Sequence, residues 1–220
     1  MDIFDLFLKY ATENPFKVEL PENSSEGLQP SSEIDELKRY QVKGNKLPDE
    51  FWYEFIEVAK RLGTQPKELA KVVKGESGFD TSAVARNKAG NPIAKGLNQM
   101  TTVASDAIGM PRETWNRYEH LSGMEQLGWL ETFMKGQNIK GLSALDIYIK
   151  NFGTHNNPDG SMYASLAYIN AHPLRDKFKN VKLQDIQYKA NKNIDLIYGN
   201  KDGAISREDM AAYLKAINKF

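Results

Sequence analysis

Residues 75–79 read Gly-Glu-Ser-Gly-Phe, and residues 95–100 read Lys-Gly-Leu-Asn-Gln-Met. The segment before the first stretch predicts a helix, because apolar residues repeat every three to four positions up to Glu76. These residues are Leu69, Val72 and Val73. An acid held against apolar side chains loses hydration when it ionises, which favours its protonated form near neutral pH. Since a general acid needs such a proton, Glu76 is the candidate catalytic residue.

The composition is that of an ordinary soluble protein, with 220 residues, 40% of them hydrophobic and 26% charged. Lys plus Arg and Asp plus Glu number 29 each, so there is no basic excess to hold a phosphate backbone, and nucleic acid is not expected as a partner. The chain has no cysteine, which excludes disulfides, thiolate metal sites and a cysteine nucleophile.

The first residues do not look like an export signal. Asp2 and Asp5 stand where a secretory signal would carry Lys or Arg, and no apolar run has the length needed to cross a bilayer. We therefore expect no signal peptide and no stable membrane insertion.

The sequence predicts three regions, at residues 1–46, 47–180 and 181–220. In the first, an amphipathic helix at 3–11 precedes a linker rich in Pro, Ser and Glu at 21–32. This helix either docks on its own domain or serves as a partner-binding arm. Its apolar face carries Ile3, Leu6, Phe7 and Tyr10.

From residue 47 onward the pattern is helical almost without a break, and strand signals are nearly absent. Helix starts with a Ser-x-x-acid pattern occur at Ser122, Ser143 and Ser206. The segments are expected to end at Gly63, Gly109, Gly136 and Gly153. The fold class predicted is mainly α, with a compact helical domain at 47–180 and a small helical extension after it.

Three stretches carry a family resemblance: Glu-Ser-Gly-Phe at 76–79, Gly-Leu-Asn-Gln-Met at 96–100, and Leu-Ala-Tyr-Ile-Asn-Ala at 166–171. Over residues 47–172 the chain resembles the soluble lytic transglycosylase family, which has a lysozyme-like fold. Further stretches are similar to those of bacteriophage virion and lysis proteins. They are Leu-Pro-Asp-Glu-Phe-Trp at 47–52, Glu-Gln-Leu at 125–127 and Asp-Ile-Tyr-Ile at 146–149.

The resemblance implies cleavage of peptidoglycan glycan strands between N-acetylmuramic acid and N-acetylglucosamine, with no cofactor and no metal. Glu76 would first protonate the glycosidic oxygen and then, as a carboxylate, take a proton from the C6 hydroxyl of the sugar, which closes an anhydro ring. Asp80 and Asp106 are the acids nearest to the two motifs. For each of them, a local structural role is favoured over a catalytic one.

The same resemblance implies a set of substrate-binding residues. Ser77 would orient Glu76 or the sugar, Gly96 would allow close approach to the cleft, Gln99 would hydrogen-bond, and Met100 would form an apolar wall. Asn98 departs from the family, which usually has an apolar residue there; it either makes a buried polar contact or faces solvent.

Asn170 also carries over from the family, but the position of the assisting tyrosine is open. Aligned on Asn170, the family's tyrosine falls at Ile169, so Tyr148 and Tyr168 both stay candidates. For Tyr148 the alternative is a core aromatic on its helix.

The C-terminal stretch at 200–209 looks like the latter part of an EF-hand or dockerin-type calcium loop. Tyr198 stands where the opening Asp should be, and Asp195 lies three residues too early, so a tight turn before the last helix is favoured over a calcium site. His120, His155 and His172 lack metal-ligand spacing and are expected to be structural or solvent-facing.

Two other functions stay open beside the transglycosylase. One is a muramidase on the same fold that uses water, and the other is a non-catalytic glycan-binding virion protein that docks through its N-terminal helix. A lytic enzyme without an export signal would reach the wall in one of two ways. It would leave the host cytoplasm through a holin-made lesion, as an endolysin does, or travel in the virion.

Overall fold

A computed structural model describes residues 31–42, 44–151 and 157–218, and within these residues the protein is mainly helical. The mainly α fold class expected from the sequence is confirmed at this level. Within the described residues, the chain divides after Gly141 into two compact units, called the first and the second unit. Glu76 and the segment at 95–100 both belong to the first unit.

The first unit combines helices with a small antiparallel sheet. Its helices are α1 (Ser31–Lys38), α2 (Asp49–Arg61), α3 (Pro66–Ser77), α4 (Thr102–Ala107), α5 (Arg112–Asn116) and α6 (Gly123–Gln137), with a 3₁₀ turn at Tyr118–His120. Its strands are β1 (Val84–Arg86), β2 (Pro92–Lys95) and β3 (Met100–Thr101). The strand order is β1-β2-β3, with Val84 opposite Lys95 and Ala94 opposite Thr101.

This sheet corrects the expectation of an almost unbroken helical pattern. Its strands are two to four residues long, and β1 and β2 pair with a register shift between Ala85 and Arg86. So few residues cannot establish the alternating pattern from which a strand is recognised. The sheet is important for the site, because β2 ends at Lys95, directly before the second motif.

An aromatic cluster holds α2 against the chain that follows α3. The ring of Phe79 lies 4.8 Å from that of Trp52 and 5.5 Å from that of Phe55, and all three side chains are fully buried. Aromatic pairs at such distances contribute about 0.5–1.5 kcal/mol beyond the area they bury. Phe79 therefore anchors the chain three residues after Glu76.

The second unit contains helices and a two-stranded antiparallel pair. Its helices are α7 (Ala144–Asn151), α8 (Leu166–Ala171), α9 (Val181–Asn191) and α10 (Arg207–Ile217), with a 3₁₀ turn at Arg175–Lys177 and a π-helical turn at Ile194–Tyr198. The strands β4 (Tyr163–Ala164) and β5 (Ala204–Ile205) pair with Tyr163 opposite Ile205. They join residues from both sides of the boundary expected after residue 180, and α10 packs against α7.

Several helix ends follow the local signals. Ser122 and Ser206 form capping boxes with Glu125 and Asp209, as expected. The end expected at Gly136 is wrong, because α6 continues to Gln137 and Asn138 takes the left-handed conformation that closes it. None of the described helices combines the length and apolar character that a bilayer crossing requires.

Some expectations lie outside the described residues. These are the helix at 3–11 with its role as an arm, the linker up to residue 30, the helix end at Gly153 and the environment of His155.

An ion-pair cluster on the first unit predicts a pH effect on stability. Glu131 accepts hydrogen bonds of 2.9 and 2.8 Å from Arg61 and also pairs with Lys135. Burial alone would raise the pKa of Glu131, but these bonds outweigh it and hold the pKa below the ordinary value of 4.5. Since the folded pKa is depressed, this stabilisation is present above pH 4.5 and is lost as the pH falls through the folded value.

We expect Glu131→Gln to lower the free energy of unfolding by about 1–2 kcal/mol at pH 7. The variant should also lose less of its free energy of unfolding than the unchanged protein does when the pH is lowered below 4.5. Trp52, Trp115 and Trp129 all belong to the first unit, so urea unfolding followed by tryptophan fluorescence reports on that unit. Glu57→Gln, which breaks an exposed pair with Lys60, is the control and should cost less than about 1 kcal/mol. Equal losses in both variants would contradict the prediction.

Candidate functional site

The candidate acid lies in the last turn of α3. The apolar face of α3 is buried, as the spacing of its residues predicts; it consists of Leu69, Val72 and Val73. Glu76 continues this face and is half-buried. The helix ends because Gly78 takes the left-handed conformation, at φ 64°, and its N–H donates to the carbonyl of Lys74. Glu76 is thus held on a rigid element just before the chain turns.

Ser77 connects this helix end to the second motif. Its hydroxyl Oγ donates a hydrogen bond of 2.8 Å to the carbonyl oxygen of Leu97. The two residues are twenty positions apart, so this bond joins the end of α3 to the turn that follows β2. The structure therefore brings together the two motifs that the sequence analysis singled out.

The turn between β2 and β3 has an unusual backbone. Gly96 and Gln99 have φ values of 68° and 46°, in the left-handed region that non-glycine residues seldom adopt. The Gln99 side chain folds back on this turn, where Nε2 donates to the carbonyl of Gly96 at 3.1 Å, and so does the backbone N–H of Gln99. Gln99 is half-buried, and its amide nitrogen supports the turn.

Gln126 on α6 secures the same turn from inside the unit. Its Oε1 accepts the N–H of Leu97 at 2.9 Å, and its Nε2 donates to the carbonyls of Thr81, Tyr118 and Leu121. The side chain is 0% exposed, and its bonds to Leu97, Tyr118 and Leu121 are buried. Such bonds contribute more than exposed ones, because an unmade buried bond costs about 1–3 kcal/mol.

Sequence reasoning did not identify Gln126 as a functional residue. Gly96 makes room for it, since a Cβ on Gly96 would lie 2.3 Å from Gln126 Oε1. One signal was present: Gln126 is a polar residue beside Leu127, on a helix that buries Leu130 and Met134. A polar side chain inside an apolar face needs hydrogen-bond partners from other segments.

Asn98 and Met100 both point into the protein. Asn98 is 8% exposed and its Oδ1 accepts the Tyr118 hydroxyl at 3.1 Å, so it makes the buried polar contact that was one of its two alternatives. Met100 is buried in a cluster with Met110, Trp115 and other apolar residues. Its carbonyl accepts the indole N–H of Trp115 at 3.0 Å, which fixes β3 against α5.

The two acids nearest to the motifs have local structural partners. Asp80 accepts hydrogen bonds from the N–H and hydroxyl of Ser82, which close a turn after Phe79. Asp106 pairs with Arg112 through both carboxylate oxygens on the surface. Both contacts match the structural alternatives for these residues.

The other three predicted site residues belong to the second unit. Tyr148 is 3% exposed and packs against the ring of Tyr213 at 6.0 Å. The Tyr168 hydroxyl donates to Asp159 at 2.8 Å; burial and then this bond raise the pKa of Tyr168 to about 12. Asn170 is exposed on α8.

The stretch at 200–209 is organised by hydrogen bonds of its own. Asp202 accepts the N–H of Ala204 at 2.8 Å, and Asp209 accepts that of Ser206. Asp195, fully buried, reaches this loop and accepts the N–H of Gly203 at 3.0 Å. Within the residues that the structure describes, no three His, Asp or Glu side chains are grouped as a metal site.

In comparisons with known proteins, no family model, curated protein or solved structure matches this chain.

Proposed function

We propose that this protein is a peptidoglycan lytic transglycosylase with a lysozyme-like first unit and Glu76 as its catalytic acid and base. The observation that carries the proposal is the 2.8 Å bond from Ser77 to Leu97, which joins the helix end bearing Glu76 to the Gly96–Met100 turn. These are two of the three stretches through which the chain resembles that family.

The position of Glu76 supports a role as a proton donor. Carbonyl groups at the C-terminal end of α3 carry partial negative charge, which opposes a further negative charge in the last turn. Half-burial of the side chain acts in the same direction, because it removes water from the carboxylate. The helix end that bears Glu76 is joined through Ser77 to the turn that Gln126 secures.

In the proposed reaction, Glu76 gives its proton to the glycosidic oxygen as the bond between that oxygen and C1 of N-acetylmuramic acid breaks. The resulting carboxylate then takes the proton of the C6 hydroxyl of the same sugar, and O6 bonds to C1. Glu76 ends the cycle protonated, and no water is consumed. A single acid suffices for this sequence, which agrees with the local structural partners of Asp80 and Asp106.

Digestion of purified peptidoglycan, with the released fragments weighed by mass spectrometry, tests this proposal. We expect anhydro ends, which are lighter than reducing ends by one water molecule. Reducing ends would instead identify a hydrolysing muramidase. Retention of the protein on the wall without released fragments would identify a glycan-binding protein.

The biological setting we propose is bacteriophage attack on the cell wall, either in host lysis or in penetration from the virion. It follows from the stretches at 47–52, 125–127 and 146–149, which are similar to phage proteins. In the virion setting, residues 3–11 would contact another virion protein. Presence of the protein in purified particles would support the virion role over the lysis role.

A further inference from the structure

One helical segment of the second unit exposes large apolar side chains. Helix α9 (Val181–Asn191) continues through Lys192 and Asn193, which keep helical backbone angles, into the π-helical turn Ile194–Tyr198. Eleven large hydrophobic side chains are exposed among the described residues, and four of them lie between residues 181 and 198. They are Leu183, Ile186, Leu196 and Ile197, which are 47, 64, 41 and 63% exposed. Exposed apolar side chains that collect on one surface mark a contact site, whereas singly scattered ones do not.

The four side chains belong to one face of this helical segment. Exposed positions recur every three to four residues, which is the spacing of a single helix face. These positions are 182, 183, 186, 189, 190, 192, 193, 196 and 197. The opposite face is buried against the rest of the unit and includes Gln184, Tyr188 and Ile194. We call the exposed positions the outer face.

The outer face is also positively charged. Its lysines are Lys182, Lys189 and Lys192, all of them exposed. Lys189 pairs with Asp185, but Lys182 and Lys192 form no ion pair with any residue that the structure describes. The other acid of the segment, Asp195, is fully buried and accepts the hydroxyl of Tyr188. Its carboxylate is therefore not presented on this surface.

The flanking sequence adds to this charge. Residues 175–198 contain six Lys or Arg and three Asp, although the whole chain contains 29 residues of each sign. Positive charge is thus concentrated around the outer face, in a chain that is neutral as a whole.

We propose that the outer face binds an anionic lipid surface, with its apolar side chains at the boundary between headgroups and acyl chains and its lysines on the lipid phosphates. Aliphatic side chains gain free energy by leaving water, and a lysine stem can lie along apolar surface while its ammonium stays among the headgroups. Helices that carry both kinds of residue lie in the plane of the membrane surface and do not cross it.

The composition of the outer face favours lipid over other partners. A nucleic acid would pair with the lysines but would leave four aliphatic side chains in water, and none of the exposed residues of this face is aromatic and able to stack on a base. A second copy of the chain would bring two positively charged faces together. An anionic bilayer matches both the charge and the apolar side chains.

Co-sedimentation of the full chain with vesicles tests this. We expect binding to vesicles of equal parts phosphatidylglycerol and phosphatidylcholine, and little binding to phosphatidylcholine alone. Ile186→Ser should weaken binding about tenfold, because it removes the most exposed apolar side chain of the face. The control is Val103→Ser on α4 of the first unit, where the side chain is 65% exposed, and it should leave binding unchanged.

The charge is tested in the same assay. Lys182→Gln should weaken binding about fivefold, whereas Lys88→Gln, at an exposed lysine of the first unit, should have no effect. Binding should also fall in about 1 M NaCl, where the Debye length is about 3 Å.

Three results would each overturn the proposal: no binding to the anionic vesicles, equal binding to both kinds of vesicle, or equal binding by the Ile186 and Val103 variants. Self-association that Ile186→Ser abolishes, without vesicle binding, would instead assign the face to a second copy. The proposal does not rest on glycan cleavage. Digestion of lipid-free peptidoglycan by Ile186→Ser should proceed at the rate of the unchanged protein, so the two proposals fail separately.

Discussion

Replacing Glu76 with glutamine is expected to abolish the release of glycan fragments from peptidoglycan. The amide can neither donate the proton that the leaving oxygen needs nor accept the proton of the C6 hydroxyl. Each of these roles is worth about a hundredfold to ten-thousandfold in rate, so the combined loss should take activity below detection. Because the amide has nearly the same size, the free energy of unfolding should change by less than about 1 kcal/mol.

Fragment release is measured by chromatography and mass spectrometry, and stability by the tryptophan fluorescence of the first unit. Glu68→Gln is the matched control, because Glu68 lies on the same helix and is also half-buried, with Lys71 as its partner. Its position eight residues earlier places it about 12 Å from Glu76 along the helix axis. Activity of the Glu76 variant close to that of the Glu68 variant would remove Glu76 from the mechanism.

The features that could be predicted from the sequence are those that depend on neighbours along the chain. Two examples are the buried apolar face of α3 and the capping box at Ser122. Each depends only on residues within one or two helical turns of one another, and both are present in the structure. Ser77 was a candidate because it adjoins Glu76 in the motif. Its bond to Leu97 shows that the two motifs are also neighbours in space.

The features that could not be predicted depend on distant parts of the chain. Gln126 bonds to residues 29 and 45 positions away, and no local pattern identifies such partners. The division after Gly141 likewise follows from packing, since β4 and β5 pair across 40 or more positions. Tyr148 and Tyr168 both belong to the second unit. Tyr148 lies in its core, whereas Tyr168 lines a groove between α8 and the loop Lys201–Gly203, and helical periodicity alone does not distinguish these two positions.

The backbone of the turn at Gly96 depends on one of these distant contacts. The left-handed conformation of Gly96 places the N–H of Leu97 on Gln126, and the missing side chain leaves space for that amide. Leu97 in turn accepts the bond from Ser77. The geometry beside Glu76 thus requires a glycine for two separate reasons, its conformation and its size.

A comparison of Gly96→Ala with Gly109→Ala distinguishes the effect of backbone conformation from the effect of side-chain size. Both glycines have nearly the same φ, 68° and 69°, so both substitutions carry a conformational cost of about 1–2 kcal/mol. A Cβ at Gly109 meets nothing within 4 Å, whereas at Gly96 it would lie 2.3 Å from Gln126 Oε1 and 2.7 Å from Tyr118. Displacing Gln126 leaves buried groups unpaired, which adds about 1–3 kcal/mol at Gly96 alone.

We therefore expect Gly96→Ala to lower the free energy of unfolding by about 2–5 kcal/mol, and by more than Gly109→Ala does. Urea unfolding followed by tryptophan fluorescence measures both, because both glycines and all three tryptophans belong to the first unit. Glycan cleavage, assayed at a temperature where each variant is folded, should fall in the Gly96 variant only, since its turn no longer holds Leu97 against Ser77. Equal stability and equal cleavage in the two variants would mean that the close contact with Gln126 does not shape the site.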